Sequence, residues 1–187
     1  MKQALLFLCD TIFALIVYPL LLRFWMQALR APFRNPLGDT VLALTNWLVR
    51  PLRRVIPGLL GLDLATLLAG FFARWLWVLA EWAIVGIPID GGVIGISLVF
   101  ALLALVKASI YLLMGAVIVQ ALLSWIAPHG PMAGVLNALT FRFLQPFRKM
   151  IPPIGGQVDL SPLIVLVLCQ LILLIPITWL EQFVRAG

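Results

Sequence analysis

Four long apolar stretches dominate the pattern of hydrophobic and polar positions along the chain. They cover residues 4–29, 64–87, 93–126 and 160–180, and few charged residues interrupt them. An α-helix needs about 20 residues to cross the roughly 30 Å hydrocarbon core of a bilayer. Because every stretch is at least that long, the pattern predicts four transmembrane helices.

Two further segments, residues 39–56 and 131–151, mix apolar and polar positions with the period of a helix. Each of them lies between an odd-numbered span and the even-numbered span that follows. Such a pattern is typical of an amphipathic helix that lies in the membrane interface. The apolar positions are Val41, Leu44, Leu48, Leu52 and Val55 in the first segment, and Met132, Val135, Leu136, Leu139, Phe143, Phe147, Met150 and Ile151 in the second.

Polar residues mark the starts of the second and fourth spans. Asp63 directly precedes the second span, and Asp159 and Ser161 stand at the start of the fourth. A carboxylate or hydroxyl at a helix start accepts hydrogen bonds from free backbone N–H groups, so we interpret the three residues as helix caps. Residues 86–92 contain three glycines and a proline. We therefore expect a tight turn there, with spans two and three forming an antiparallel hairpin.

The two halves of the chain match each other in order. Two copies of a unit made of a span, a basic amphipathic segment and a span would produce this order. The sequence therefore predicts an all-α membrane protein of two tandem repeats, residues 1–90 and 91–187, inserted the same way round. The matching stretches are 27–29 with 120–122, 43–45 with 138–140, 50–57 with 145–152, and 62–64 with 158–160.

Composition excludes a large soluble domain. Of the 187 residues, 64% are hydrophobic and only 11% are charged, and the mean hydropathy is +1.14. A soluble domain is about half apolar and a quarter charged. The sequence has no nucleophile beside a positioned base and no cluster of metal ligands, and its two cysteines lie in apolar runs. We therefore expect no enzyme activity and no cofactor.

The basic residues predict both orientation and binding. Lys and Arg number 13 against 7 Asp and Glu, and most of the basic residues flank or occupy the two amphipathic segments. The positive-inside rule then places both segments in the cytoplasm and both termini outside. We expect the basic residues to bind anionic lipid head groups and to be available to a protein partner, and we expect no nucleic acid. They are Arg50, Arg53, Arg54, Arg142, Arg148 and Lys149.

Ionisable residues inside the apolar stretches form a second candidate site. Asp10, Arg74, Glu81 and Lys107 would each cost about 2.5 to 3.5 kcal/mol near the bilayer centre if they faced lipid, so we expect them to face one another. Lys107 is expected to pair with Asp10 or Glu81. Arg74 has no carboxylate at its predicted depth and corresponds to Gln170 in the repeat alignment. Ion pairs between helices and a polar pathway are both consistent with this pattern.

Several motifs resemble the YggT family of small integral membrane proteins, which includes the YlmG proteins. They are residues 120–126 (QALLSWI), 53–57 (RRVIP), 148–152 (RKMIP), 153–156 (PIGG) and 158–162 (VDLSP). The chain departs from the family pattern at Ala65-Thr66, where Ser-Pro is typical, and at Gln120, where we expect arginine. The resemblance implies a bacterial inner-membrane protein, with relatives linked to cell division or nucleoid organisation, osmotic stress tolerance and plastid cytochrome assembly.

Two functional hypotheses follow. The first is a membrane scaffold or assembly factor whose basic cytoplasmic helices bind lipid and a partner. The alternative is a small ion channel or transporter that uses Asp10, Arg74, Glu81 and Lys107. Because four spans are few for a pore, transport would require a homo-oligomer.

Overall fold

The protein is a bundle of helices. A computed structural model describes residues 1–58, 61–126, 130, 132–150 and 159–186. Within these ranges, seven α-helices follow one another, and a single π-helical turn, Leu173–Ile177, joins the last two. The helices are α1 (Lys2–Ala28), α2 (Pro36–Leu52), α3 (Leu64–Val85), α4 (Gly91–Ile126), α5 (Ala133–Met150), α6 (Ser161–Ile172) and α7 (Thr178–Ala186).

Four helical segments are long and apolar enough to cross a membrane, as the sequence predicts. They are Lys2–Ala28, Leu64–Val85, Gly91–Ser124 and Ser161–Val184. The first three correspond to α1, α3 and α4. The fourth combines α6, the π-helical turn and α7.

The π-helical turn is the main departure from the expected spans. It surrounds Pro176, which has no N–H group and whose ring clashes with the carbonyl one turn earlier in a regular α-helix. A π-helical turn relieves this conflict by accommodating an extra residue. The Thr178 hydroxyl donates to the Leu173 carbonyl at 3.0 Å. The turn changes the direction in which the side chains of α7 point.

A short turn connects α3 to α4 and makes them neighbours. Gly86 ends α3 with a φ of +101°, a left-handed conformation that only glycine adopts at low cost. The Asp90 carboxylate then accepts a hydrogen bond from the Val93 N–H at 2.8 Å. This cap starts α4 at Gly91, two residues before the predicted start of the third span.

The bundle core joins the helices within each half of the chain. In the first half, α1, α2 and α3 all pack against one another, and in the second half α4, α5 and α6 do the same. Leu20, Val49 and Ala69 form a buried cluster in the first. Val117 and Leu144 belong to a buried cluster in the second. Helices α2 and α5 therefore pack onto the spans through their apolar faces.

Contacts between α1 and two helices of the second half hold the halves together. Val17 and Leu21 of α1 form a buried cluster with Leu105 of α4. Met26 of α1 packs with Val135 and other residues of α5. Helix α1 therefore contacts α2, α3, α4 and α5, and its buried side chains are central to the bundle.

Helices α2 and α5 occupy the two segments between the spans. Helix α2 buries Val41, Thr45 and Val49, whereas Leu44 and Trp47 on its other side are exposed. The exposed side thus carries large apolar residues as well as polar ones. Residues 131 and 151 of the second predicted segment, and residues 152–158 of the motifs that follow it, lie outside the described residues.

We expect Leu20→Ala to destabilise the protein. The Leu20 side chain is 1% exposed and belongs to the core, and removal of a buried leucine side chain costs about 2–5 kcal/mol because a cavity remains. A lower midpoint of thermal unfolding in detergent should report this loss.

Leu15→Ala in the same helix is the matched control, since the Leu15 side chain is 70% exposed. Its unfolding midpoint should stay close to that of the wild type. Equal midpoints for the two variants would contradict the burial that the structure assigns to Leu20.

Candidate functional site

The Asp63 carboxylate joins the end of α2 to the start of α3. It forms an ion pair with Arg53, whose Nε donates to Asp63 Oδ2 at 3.2 Å. The Thr66 N–H donates to Asp63 Oδ1 at 3.3 Å, and the Thr66 hydroxyl donates to Oδ2. Asp63 is only 4% exposed. We call Arg53, Asp63 and Thr66 the first clamp.

An equivalent arrangement joins the end of α5 to the start of α6. Arg148 Nε donates to Asp159 Oδ2 at 2.8 Å. The Ser161 N–H and hydroxyl both donate to Asp159 Oδ1, at 2.9 and 2.6 Å. Ser161 thus acts as a donor to Asp159, which accepts the first free N–H of α6. We call Arg148, Asp159 and Ser161 the second clamp.

Both clamp carboxylates stay ionised more readily than an ordinary aspartate. Burial raises the pKa of Asp63, but hydrogen bonds from Arg53 and Thr66, together with the charge of Arg53, outweigh burial and hold the pKa below 3.8. Burial likewise raises the pKa of Asp159, and the hydrogen bonds from Ser161 and Arg148 lower it by more. Hydrogen bonds to an ionised carboxylate stabilise its charged form.

The clamps divide the predicted lipid-binding residues into two groups. Arg53 and Arg148 are occupied by their aspartates, although part of each side chain is exposed. The remaining basic residues are exposed on α2 and α5 or directly after α2, and none of them belongs to a clamp. They are Arg50, Arg54, Arg142 and Lys149.

Arg23 is a buried polar residue that sequence reasoning did not include among the candidate site residues. Arg23 belongs to α1, and the residue is only 3% exposed. One guanidinium nitrogen, Nη1, donates to the Thr45 hydroxyl at 2.7 Å and to Asn46 Oδ1 at 3.1 Å. The only available signal was an arginine within an otherwise apolar span.

Gln120 of α4 contacts α5 much as Arg23 contacts α2. The Thr140 hydroxyl is hydrogen-bonded to Gln120 Oε1. Thr45 and Thr140 occupy matching places in the two halves of the sequence. Judged by their contacts, Arg23 and Gln120 are therefore counterparts. The sequence alignment instead pairs Gln120 with Gln27, four residues after Arg23.

A cavity of about 860 Å³ lies among all four spans. Asp10, Arg74, Glu81 and Lys107 all line it, together with Glu181 of α7. Since Asp10 is near the start of α1 and Glu81 near the end of α3, the cavity is at the end of the bundle away from the clamps. The structure thus brings together the four predicted intramembrane residues.

The ion pairs in this cavity differ from the predicted ones. Lys107 Nζ donates to Glu181 Oε1 at 2.9 Å, so the expectation of Asp10 or Glu81 as its partner was wrong. Arg74 Nη1 approaches Asp10 Oδ1 at 3.4 Å, so Arg74 does have a carboxylate within reach. The physical reason is that α7, after its π-helical turn, directs Glu181 at Lys107.

Two polar groups in this region have no partner within the described part of the chain. The Glu81 carboxylate lines the cavity, and no hydrogen bond or ion pair joins it to another described residue. Arg74 Nε is buried and makes no hydrogen bond there. Gln170, the predicted counterpart of Arg74, is exposed on α6 and does not line the cavity.

Nearly the whole chain matches known protein sequences. A family model described as CCB3/YggT matches residues 2–84 and 99–180. The chain belongs to the CCB3/YggT family. This confirms the resemblance that the sequence motifs indicate. Both clamps lie within the matched stretches, whereas Glu181 lies one residue beyond the second.

Individual relatives from this family extend over most of the chain. An uncharacterized protein of Vibrio alginolyticus is 38% identical over 164 residues, which cover 86% of each chain. An uncharacterized protein of Pseudomonas aeruginosa is 33% identical over 174 residues, or 92% of this chain and 87% of the relative. The Escherichia coli protein named YggT is 32% identical over 171 residues, or 91% and 87%. No solved structure matches.

We expect Asp63→Ala to lower the free energy of unfolding by about 1–3 kcal/mol, because it removes a helix cap and a charge-assisted hydrogen bond. The pKa of Asp63 is below 3.8 in the folded protein. The ionised carboxylate therefore stabilises the folded protein fully above pH 3.8, the ordinary pKa of an aspartate. This stabilisation is lost as the pH falls through the lower pKa of the folded state. Thermal unfolding of the wild type and the variant over a range of pH measures both effects.

Asp39→Ala is the control, since Asp39 is exposed in the first turn of α2. Its loss should cost less than about 1 kcal/mol. A difference between wild type and Asp63→Ala that does not shrink as the pH falls below the ordinary pKa of an aspartate would contradict the assigned role of the carboxylate.

Proposed function

We propose that this protein is an integral scaffold or assembly factor of the bacterial inner membrane, which binds anionic lipid head groups and a protein partner through α2 and α5. The observation that carries the proposal is the surface of these helices. Trp47, 64% exposed, lies one turn from the exposed Arg50, and the exposed Phe141 and Phe143 flank the exposed Arg142.

Such a surface suits the boundary between head groups and acyl chains. Tryptophan and phenylalanine insert their rings at that level. Each basic residue near an anionic leaflet contributes about 1 kcal/mol. Because the two clamps fix α2 and α5 against the spans, the helices that carry the basic side chains are held in place before a lipid or partner binds. Prior ordering reduces the entropy that binding costs.

The exposed basic residues of α2 and α5 also suit an acidic protein partner. Arg50, Arg54, Arg142 and Lys149 are exposed and free of the clamps. Roles in cell division, in the envelope or in osmotic stress, which the family resemblance implies, are consistent with a scaffold that recruits such a partner at the membrane.

The same basic residues support an orientation with α2 and α5 in the cytoplasm and both termini outside. The clamps are then at the cytoplasmic end of the spans, and the cavity is at the outer end. This assignment follows the positive-inside rule, which counts Lys and Arg in short loops.

The chain is further proposed to consist of two tandem repeats, residues 1–90 and 91–187. Three observations support this. Both clamps combine an arginine, an aspartate and a hydroxyl residue in that order, the three helices of each half pack in the same three pairs, and the family model matches two separate stretches. Repeats separated by two spans are inserted the same way round.

The test of the scaffold proposal is a variant with Arg50, Arg54, Arg142 and Lys149 all changed to glutamine. In nanodiscs of phosphatidylglycerol and phosphatidylethanolamine, the wild type should enrich phosphatidylglycerol around itself, and the variant should lose most of the enrichment, at about 1 kcal/mol per charge. Mass spectrometry of protein-associated lipids measures this. Recovery of cross-linked partners from cells should fall as well.

Lys2→Gln serves as the control, because it removes a basic charge at the opposite end of the spans. It should leave both measurements unchanged. If the fourfold variant retains both the lipid enrichment and the cross-linked partners, the scaffold proposal loses its basis.

The cavity favours a second candidate function, the passage of an ion or a small solute. Its walls come from all four spans and carry ionisable side chains of both signs. Ionisable residues that line a cavity within a membrane are typical of substrate and ion pathways. Since four spans are few for a pore, this function would require a homo-oligomer.

Flux into vesicles of anionic lipid tests the second candidate. Arg74→Leu and Lys107→Leu should alter the rate or selectivity of flux through the purified, folded protein, because both side chains line the cavity. Arg54→Leu, outside the cavity, is the control and should leave flux unchanged. Absence of flux from folded wild type, or flux that neither cavity variant alters, would exclude this pathway.

A further inference from the structure

Among the residues that the structure describes, the charged groups that line the cavity do not balance. Three carboxylates, Asp10, Glu81 and Glu181, face two cations, Arg74 and Lys107. Asp10 and Glu181 are taken up by Arg74 and Lys107. Glu81 remains without a counter-ion in the described part of the chain. An ionised carboxylate within a membrane span is costly unless a cation pairs with it.

Four aromatic side chains contribute to the remaining wall, beside alanine, valine and isoleucine residues. Tyr18, Trp82, Phe100 and Tyr111 all line the cavity. Trp82 and Phe100 meet edge to face, with ring centroids 5.5 Å apart and planes at 74°. The faces of aromatic rings attract cations, and tryptophan does so most strongly. The wall therefore offers both a carboxylate and aromatic rings to a positively charged group.

The size of the cavity indicates what kind of cation fits. Sites for small organic molecules occupy about 300–1,000 Å³ and are mostly apolar with a few well-placed polar groups. The cavity, at about 860 Å³, falls in that range. A single dehydrated metal ion would leave most of this space empty and would find few oxygen ligands. An organic cation fills the space and contacts the aromatic wall.

We infer that the cavity binds a ligand carrying an ammonium group, with the Glu81 carboxylate as its counter-ion and the aromatic side chains around it. The ligand class deepens the second candidate function, whose cavity it shares. Ligand binding is measured in an experiment that does not depend on flux. A failure of the ligand inference can therefore be distinguished from a failure of the proposed transport function. The ammonium group can belong to a free solute or to a lipid head group.

Choline is a suitable probe, and its neutral isostere 3,3-dimethylbutan-1-ol is the matched control, since it has the same shape without the charge. Calorimetric titration of the full chain in phosphatidylglycerol nanodiscs should give saturable choline binding and none of the isostere. The expected effect of Glu81→Gln is a loss of affinity of at least about tenfold. Asp90→Asn removes an acidic charge outside the cavity, and it should bind choline as the wild type does.

A second set of nanodiscs, which contain phosphatidylcholine, distinguishes a free solute from a lipid head group as the source of the ammonium group. Loss of choline binding there identifies the lipid head group as the ligand, and unchanged binding identifies a free solute; both support the inference. Three results would overturn it: no saturable binding by the folded wild type, equal binding of choline and its isostere, or wild-type affinity in Glu81→Gln. The midpoint of thermal unfolding of Glu81→Gln is measured first, so that its choline affinity is compared with that of the wild type only if the variant is folded.

Discussion

The cost of an ionised side chain in hydrocarbon is the constraint on which the arrangement of this protein depends. Charges inside a membrane must find partners or polar surroundings, because no water is present to solvate them. The chain meets this constraint at two levels. Near one end of the spans, Asp63 and Asp159 bind arginines and helix starts. Near the other end, Arg74 and Lys107 bind carboxylates around a cavity.

The clamps connect this constraint to the fold. An aspartate at the start of a span accepts N–H groups that would otherwise lack acceptors, and its charge in turn holds an arginine from the preceding surface helix. One carboxylate thus completes a helix end and fixes a neighbouring helix. The buried residues of α2 and α5 add apolar contacts to the same attachment. A surface helix held in this way can present its exposed basic residues in one direction.

Much of the fold was predictable because it depends on local properties of the sequence. The four spans follow from long apolar runs, and the short hairpin between α3 and α4 follows from Gly86 and the residues after it. The cost of exposing charged side chains to lipid also predicts that four residues lie together, namely Asp10, Arg74, Glu81 and Lys107.

The pairing within the cavity was not predictable, because it depends on a feature without a clear periodic signal. Pro176 indicates a distortion of the fourth span, but it does not specify a π-helical turn or the direction of the side chains after it. Glu181 lies just past the predicted fourth span, residues 160–180, so the pattern of apolar positions does not place it among the intramembrane residues. Arg23 was similarly overlooked, since its partners Thr45 and Asn46 are uncharged and come from a helix that sequence alone places only roughly.

The two ends of the bundle differ in symmetry, and this difference bears on where function is located. The clamp end uses an arginine, an aspartate and a hydroxyl residue in both halves, as expected of an attachment that each half needs in order to fold. The cavity end does not: α1 and α3 supply Asp10, Arg74 and Glu81, while α4 and α7 supply Lys107 and Glu181. This unequal set of charges, in which Glu81 has no partner within the described part of the chain, matches the ligand proposed above, because a ligand with a single charged group needs a single counter-ion.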